Sequence, residues 1–207
     1  MFKLLAVMLA YPTQDWIDAI PEFRAAILEE PSLKPAWRED LLALVDECAS
    51  REALELQAHY TALFDHGRST SLHLYEHQFG ESRERGLALV ALKARYAQCG
   101  LEVAPGELPD ALPVVLEFLS TQPRNEARQH LRDAADAVRS LGSALAARGS
   151  SYAAVPRILL AWAGAPGFAA AALKLEVPIE AEWSETPVSF APLRSAVEQV
   201  IHWTRRR

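Results

Sequence analysis

His73, Glu76 and His77 spell HxxEH, a spacing that can hold a zinc ion if both imidazoles share one helix face. In such a site Glu76 would serve as general base, and a downstream acid such as Glu81 or Glu84 would complete the ligand set. The motif lies inside Tyr60 to Gly86, the densest cluster of polar chemistry in the chain. Asp65, Glu76, Glu81 and Glu84 alternate there with Arg68, Arg83 and Arg85 and with His66, His73 and His77, and Tyr60, Phe64, Tyr75 and Phe79 are interleaved among them.

Five matching positions are a weak signal, so other chemistries must be weighed. A serine nucleophile lacks the strained GxSxG elbow or any comparable oxyanion loop. The same charges could instead form a structural ion-pair knot where helices meet, with Glu81 and Arg85 paired at i,i+4. A third reading is a groove for an amphipathic peptide helix. Apolar walls would bury the peptide's anchors, while Asp65, Glu76 and Glu81 attract its lysines or arginines. The histidines would give such a groove a pH response.

The elements that must position these residues read as helices throughout. Phe2 to Leu9 is a short apolar helix stopped by Pro12. Asp15 caps a second helix bearing Trp16, Ile17, Ile20 and Phe23, which Pro21 breaks or kinks. After a connection marked by Pro31 and Pro35, one long helical pattern runs from Pro35 to about Phe64, and Gly67 interrupts it. Ser69 or Ser71 starts a helix that Gly80 ends. Ser82 then caps a helix to about Gln98, with Gly100 at the C′ position. Leu87, Leu89, Val90, Leu92, Ala94 and Tyr96 go most of the way round that helix, which predicts a central place in a bundle.

Asp110 is expected to cap Ala111 to Leu119, with Pro113 in the first turn. Asn125 caps a long helix closed by Gly149, with Leu131, Ala134, Val138, Leu141 and Leu145 facing inward. Ser151 begins an apolar helical pair. Val177 to Pro192 is proline-containing and reads as extended, and a last short helix runs from Pro192 to Thr204. No alternating β pattern persists and no phosphate loop occurs. The predicted architecture is all-α, a multi-helix bundle of one domain spanning 1–207.

Composition sets outer bounds. The chain has 207 residues, half of them hydrophobic, and a net charge of −6 with pI near 5.5. That balance disfavours nucleic acid and permits a basic peptide partner. Cys48 and Cys99 cannot build a disulfide framework or a cysteine metal site, and both fall in helical patterns that suggest buried thiols. Met1 to Ala10 lacks a signal-peptide cleavage pattern, and Ile158 to Leu173 is broken by Gly164, Pro166 and Gly167. With no run of about 20 unbroken apolar residues to cross a membrane, a cytoplasmic location is expected.

Asp65-His66-Gly67-Arg68-Ser69-Thr70-Ser71-Leu72, Tyr75-Glu76-His77 and Gly80-Glu81-Ser82-Arg83-Glu84-Arg85-Gly86 resemble the signature of the NarJ family. Its members are assembly chaperones of respiratory nitrate reductase, within the TorD/DmsD/NarJ group. Tyr60-Thr61-Ala62-Leu63-Phe64 matches that group's aromatic-x-x-Leu-Phe motif. Leu108-Pro109-Asp110 matches its Pro-Asp-His motif only in part, because Ala111 stands where histidine is expected. His73 in turn occupies a place where the family pattern is apolar, which makes the HxxEH spelling incidental. The likeness extends back to Leu4 and Tyr11-Pro12, forward through Leu112 to Leu119, and fades after about Asn125.

The resemblance implies an all-helical cytoplasmic chaperone with no catalytic activity, no resident cofactor and no membrane insertion. It would bind the N-terminal segment of the catalytic subunit of nitrate reductase. It would hold that subunit competent for molybdenum cofactor and iron–sulfur cluster insertion before membrane docking. A chaperone for another molybdoenzyme of the same group is the alternative. Carried over by position, the partner-binding residues would be Asp65, Arg68, Glu76, His77, Glu81, Arg83, Arg85 and Asp110.

Overall fold

Prolines and shifts in the phase of the apolar stripe divide this chain into helices. The structure, a computed structural model, describes residues 1–80 and 82–169. Glu81, the segment 177–192 and the helix expected from Pro192 to Thr204 lie outside the described residues.

The first helix, α1 (Phe2–Met8), buries Leu5, Ala6 and Met8. Thr13, rather than Asp15, caps α2 (Gln14–Asp18), its hydroxyl accepting the Trp16 amide. Pro21 lies in the first turn of a separate helix, α3 (Ile20–Glu29), where its missing N–H costs nothing. The long pattern expected from Pro35 is two helices, α4 (Pro35–Ala49) and α5 (Ala53–Phe64). Leu41, Leu44, Val45 and Cys48 form the buried stripe of α4, but the positions that would continue it are Arg51, Glu52 and Glu55. The chain leaves the helix there, and Glu52 is extended at φ −64° and ψ 150°.

A 3₁₀ turn at Arg68–Thr70 leads to the short helix α6 (Leu74–Phe79), which starts later than either serine suggests. Gly80 then turns the chain at φ 57°, in a region glycine enters at little cost. Helix α7 (Arg83–Gln98) follows with Ser82 at its N-cap position. It closes at Gly100, φ 74°, with the Leu101 amide donating to Tyr96 and the Gly100 amide to Ala97, the Schellman pattern. The central position expected for α7 is not found. Tyr96 is its one fully buried residue among those described, Leu87 and Val90 are 69% exposed, and the helix reaches the bundle chiefly through α6.

Next come α8 (Leu112–Thr121), α9 (Arg124–Asp133), α10 (Ala135–Ala147), a 3₁₀ turn at Ser151–Ala153 and α11 (Ala154–Ala163). The single helix expected to be capped by Asn125 is two, with Pro123 at the N-cap position of α9 and a break at Ala134, where ψ is 0°; of its expected inward stripe Leu131, Val138, Leu141 and Leu145 are buried and Ala134 is partly so. Packing follows these stripes: α1 lies along α8, α10 lies against α11 and α6, and α11 against α9 and α4. The Phe168 ring fills the space a Cβ on Gly142 would need, so α10 carries glycine there. The result is all-α, and the β pairing among the described residues is one isolated bridge, His73 to Ala111. Cys48 is buried as expected, whereas Cys99, just past the end of α7, is exposed.

Candidate functional site

Two stretches remote in sequence clasp each other at the centre of the polar cluster. Leu112 donates its amide to the Leu72 carbonyl at 2.8 Å, and Leu74 donates to the Asp110 carbonyl at 3.1 Å. His73 and Ala111 face each other between these bonds. Side chains then weld α6, α7 and the entry to α8 onto the clasp. The Asp110 carboxylate, fully buried, accepts the Tyr75 amide at 3.1 Å. Asp110 therefore caps α6, not the following helix α8, whose N-cap Ala111 offers no side-chain bond. Its other neighbours are His73 Nδ1 at 3.4 Å and Arg85 Nη2 at 4.0 Å. Tyr96 of α7 donates its hydroxyl to the Pro109 carbonyl at 2.8 Å.

A second set of bonds converges on Ser71. The His73 amide donates to Ser71 Oγ at 3.2 Å, and that hydroxyl donates to Glu76 at 2.6 Å. Glu76 is the third residue of α6, the position from which a glutamate reaches back to the helix start in a capping box. Here the Ser71 hydroxyl relays the contact. His77 Nε2 lies 2.7 Å from the Ser71 carbonyl. The two imidazoles of HxxEH thus serve different partners, since His73 precedes the helix and faces Asp110. Among the described residues no three metal-ligating side chains converge.

The clasp separates two hollows. The larger, about 390 Å³, runs between α1, α5 and the loop before α8, lined by Tyr11, Tyr60, Phe64, Leu72, Leu108 and Val114 with Asp65, Glu107 and His73. Among the described residues no lysine or arginine lines it, and both carboxylates are exposed. Tyr11 and Leu108 present apolar surface at 46% and 40% exposure. Tyr60 stands edge-on to Tyr11 at 5.5 Å and donates its hydroxyl to the Leu9 carbonyl, and burial, then Asp65, raises its pKa. The smaller hollow, about 250 Å³, lies between α6, α7, α9 and α10 and includes Tyr75, Phe79, Leu92, Arg95, His130 and Asp133. Burial and then the Arg95 charge lower the His130 pKa, while burial and Asp110 raise that of Tyr75.

The eight residues named from sequence therefore separate. Glu76, His77, Arg85 and Asp110 gather round residues 71–75 as half-buried or buried braces. Of the seven that are described, Asp65 alone lines the larger hollow, Arg68 lies exposed in the 3₁₀ turn and Arg83 lies exposed in the first turn of α7, while Glu81 is outside the described residues. Sequence reasoning missed Glu107 and Leu108 as groove residues. Their signal was nearness to Pro109-Asp110, and nothing local marks them further.

The structure is thus a helical bundle in which a buried aspartate clasps two remote stretches beside an acidic, aromatic-edged groove. The chain belongs to the nitrate reductase delta subunit family, whose model matches residues 30–155. Among its relatives is the nitrate reductase molybdenum cofactor assembly chaperone NarJ of Escherichia coli K12. The two are 39% identical over 162 residues, covering 77% of this chain and 69% of the relative. The probable NarJ of Bacillus subtilis 168 is 36% identical over 77% of this chain and 86% of its own length. The probable chaperone NarW of Escherichia coli K12 is 34% identical over 79% and 68%.

Proposed function

We propose that this protein is a cytoplasmic assembly chaperone for nitrate reductase, without catalytic activity of its own. Its client is the enzyme's catalytic subunit, whose N-terminal segment it binds. The subunit is thereby held competent for insertion of the molybdenum cofactor and iron–sulfur cluster before membrane docking. No helix among the described residues is long and apolar enough to cross a membrane. The observation that carries the reading, beside the family, is the larger hollow. Its carboxylates and aromatic edge suit one face of a basic amphipathic helix, whose apolar anchors would lie on Tyr11, Phe64 and Leu108. Asp65 is the contact residue among those named from sequence, while Glu76, His77, Arg85 and Asp110 position the walls.

Calorimetry with the N-terminal peptide of the cognate catalytic subunit tests this. Saturable binding is expected, weakened roughly tenfold by Asp65→Lys together with Glu107→Lys, about 1.4 kcal/mol, with a flatter salt dependence. A peptide that does not bind, or binds the charge-reversed chain equally well, would overturn the assignment.

A further inference from the structure

A third hollow, about 260 Å³, opens where the start of α1 meets the end of α8. Its floor is Tyr96 and Phe118, both buried, with ring centroids 4.6 Å apart. Leu101, Val103 and Val114 form apolar sides, and Glu102, Glu117 and Lys3 form an exposed polar rim. Lys3 shares this hollow with Thr121 while Leu9 shares the larger one with Ala111, so α1 and α8 run antiparallel and both hollows lie along their seam. Val114 lines both. So does the loop from α7 to α8, which gives Glu102 and Val103 to the third hollow and Glu107 and Leu108 to the larger. Tyr96 fixes that shared wall at each end: its carbonyl accepts the Leu101 amide at 3.0 Å, and its hydroxyl donates to the Pro109 carbonyl.

We propose that the third hollow is a second docking station for the same client segment, a step that rests on reading the larger hollow as a peptide groove. Charge singles out the occupant. Together the two hollows expose Asp65, Glu102, Glu107 and Glu117 against one lysine, Lys3, and no arginine among the described lining residues. A basic partner is attracted along the whole seam, and a second copy of this acidic surface is repelled. Length fits as well. Lys3 to Leu9 is about 9 Å along α1 and Val114 to Thr121 about 10.5 Å along α8, so the stations are two turns of a peptide helix apart. One continuous amphipathic helix therefore reaches both, with an apolar anchor and a basic residue recurring about seven positions later. Clients are selected by that repeat, because a segment with one basic turn fills only the larger hollow.

Amide shifts of the isotope-labelled full-length chain, titrated with the N-terminal peptide of the cognate catalytic subunit, test this. The amides of Asp65 and Leu108 and those of Ser120 and Thr121 are expected to move with one common midpoint. Glu102→Lys combined with Glu117→Lys should weaken binding about tenfold and abolish the shifts at Ser120 and Thr121. Both positions are exposed, so the remaining spectrum should be retained. Shifts confined to the larger hollow overturn the second station and leave the groove standing, whereas a peptide that moves neither set overturns both. Separate midpoints, or undiminished binding to the charge-reversed chain, also overturn it. Shifts at Ser120 and Thr121 that grow with protein concentration before peptide is added assign the hollow to a second copy and overturn it too.

Discussion

The carboxylate of Asp110 caps a helix that begins well upstream, its Oδ2 accepting the amide of Tyr75, a residue 35 positions away, at 3.1 Å. That bond places a full charge where no solvent reaches, with a guanidinium and an imidazole for company. A buried charge of this kind is costly to strand and equally costly to remove from its partners.

Asp110→Ala is expected to lower stability by about 3 kcal/mol, combining a lost cap with an uncompensated Arg85. Asp110→Asn keeps an oxygen for the Tyr75 amide and should cost only about 1–2 kcal/mol. Urea midpoints of the two variants measure the difference. Equal losses would mean that the charge, rather than the acceptor geometry, governs the site.

His73 and Ala111 are paired across the isolated bridge. Directly opposed residues bring their Cβ atoms within about 5 Å, so an imidazole introduced at 111 would reach the neighbourhood that His73 occupies. His73→Ala should cost about 1 kcal/mol by removing the neighbour of Asp110 Oδ1. Adding Ala111→His to that variant should recover part of the loss, with a coupling of about 0.5 kcal/mol or more in a double-mutant cycle. Additive effects would refute the exchange.

His130 and His59 are both held below the ordinary histidine value of 6.5, chiefly by burial and secondarily by Arg95 and Arg51 respectively. The unfolded chain therefore takes up protons first as pH falls. Stability from these groups is complete above pH 6.5 and declines between there and their lowered folded-state values. Below those values the loss from these two groups levels off. His130→Phe, against the edge of Phe118, should flatten the fall in urea midpoint between pH 7.5 and 5.5. An unchanged slope would show that His130 titrates normally in the fold.

Helix existence was legible because apolar spacing at three and four residues reports a buried face whatever the face meets. Boundaries were legible where a local signal acts alone, as at Pro35, Gly100 and Gly149, whose backbone requirements need no tertiary partner. They were misread where local signals compete. Asp15 and Thr13 both offered a cap, and Ser69 and Ser71 both preceded α6, yet its capping bond comes from Asp110. The candidate site was legible as a cluster but not in its division of labour, since Glu76, His77 and Arg85 carry the same local chemistry whether they brace or bind.

From the sequence alone came the helical class and the concentration of polar chemistry between Tyr60 and Gly86, because composition and periodicity are properties of neighbouring residues; the family came from the resemblance of the motifs in that stretch. Tertiary structure decided which helix lies at the edge, which aspartate is sealed from water, and which acids face a groove. Those outcomes depend on contacts between stretches far apart in the chain. The outer stripe of α7 shows the limit most plainly: apolar residues on every side signal burial, but only packing determines which side is covered.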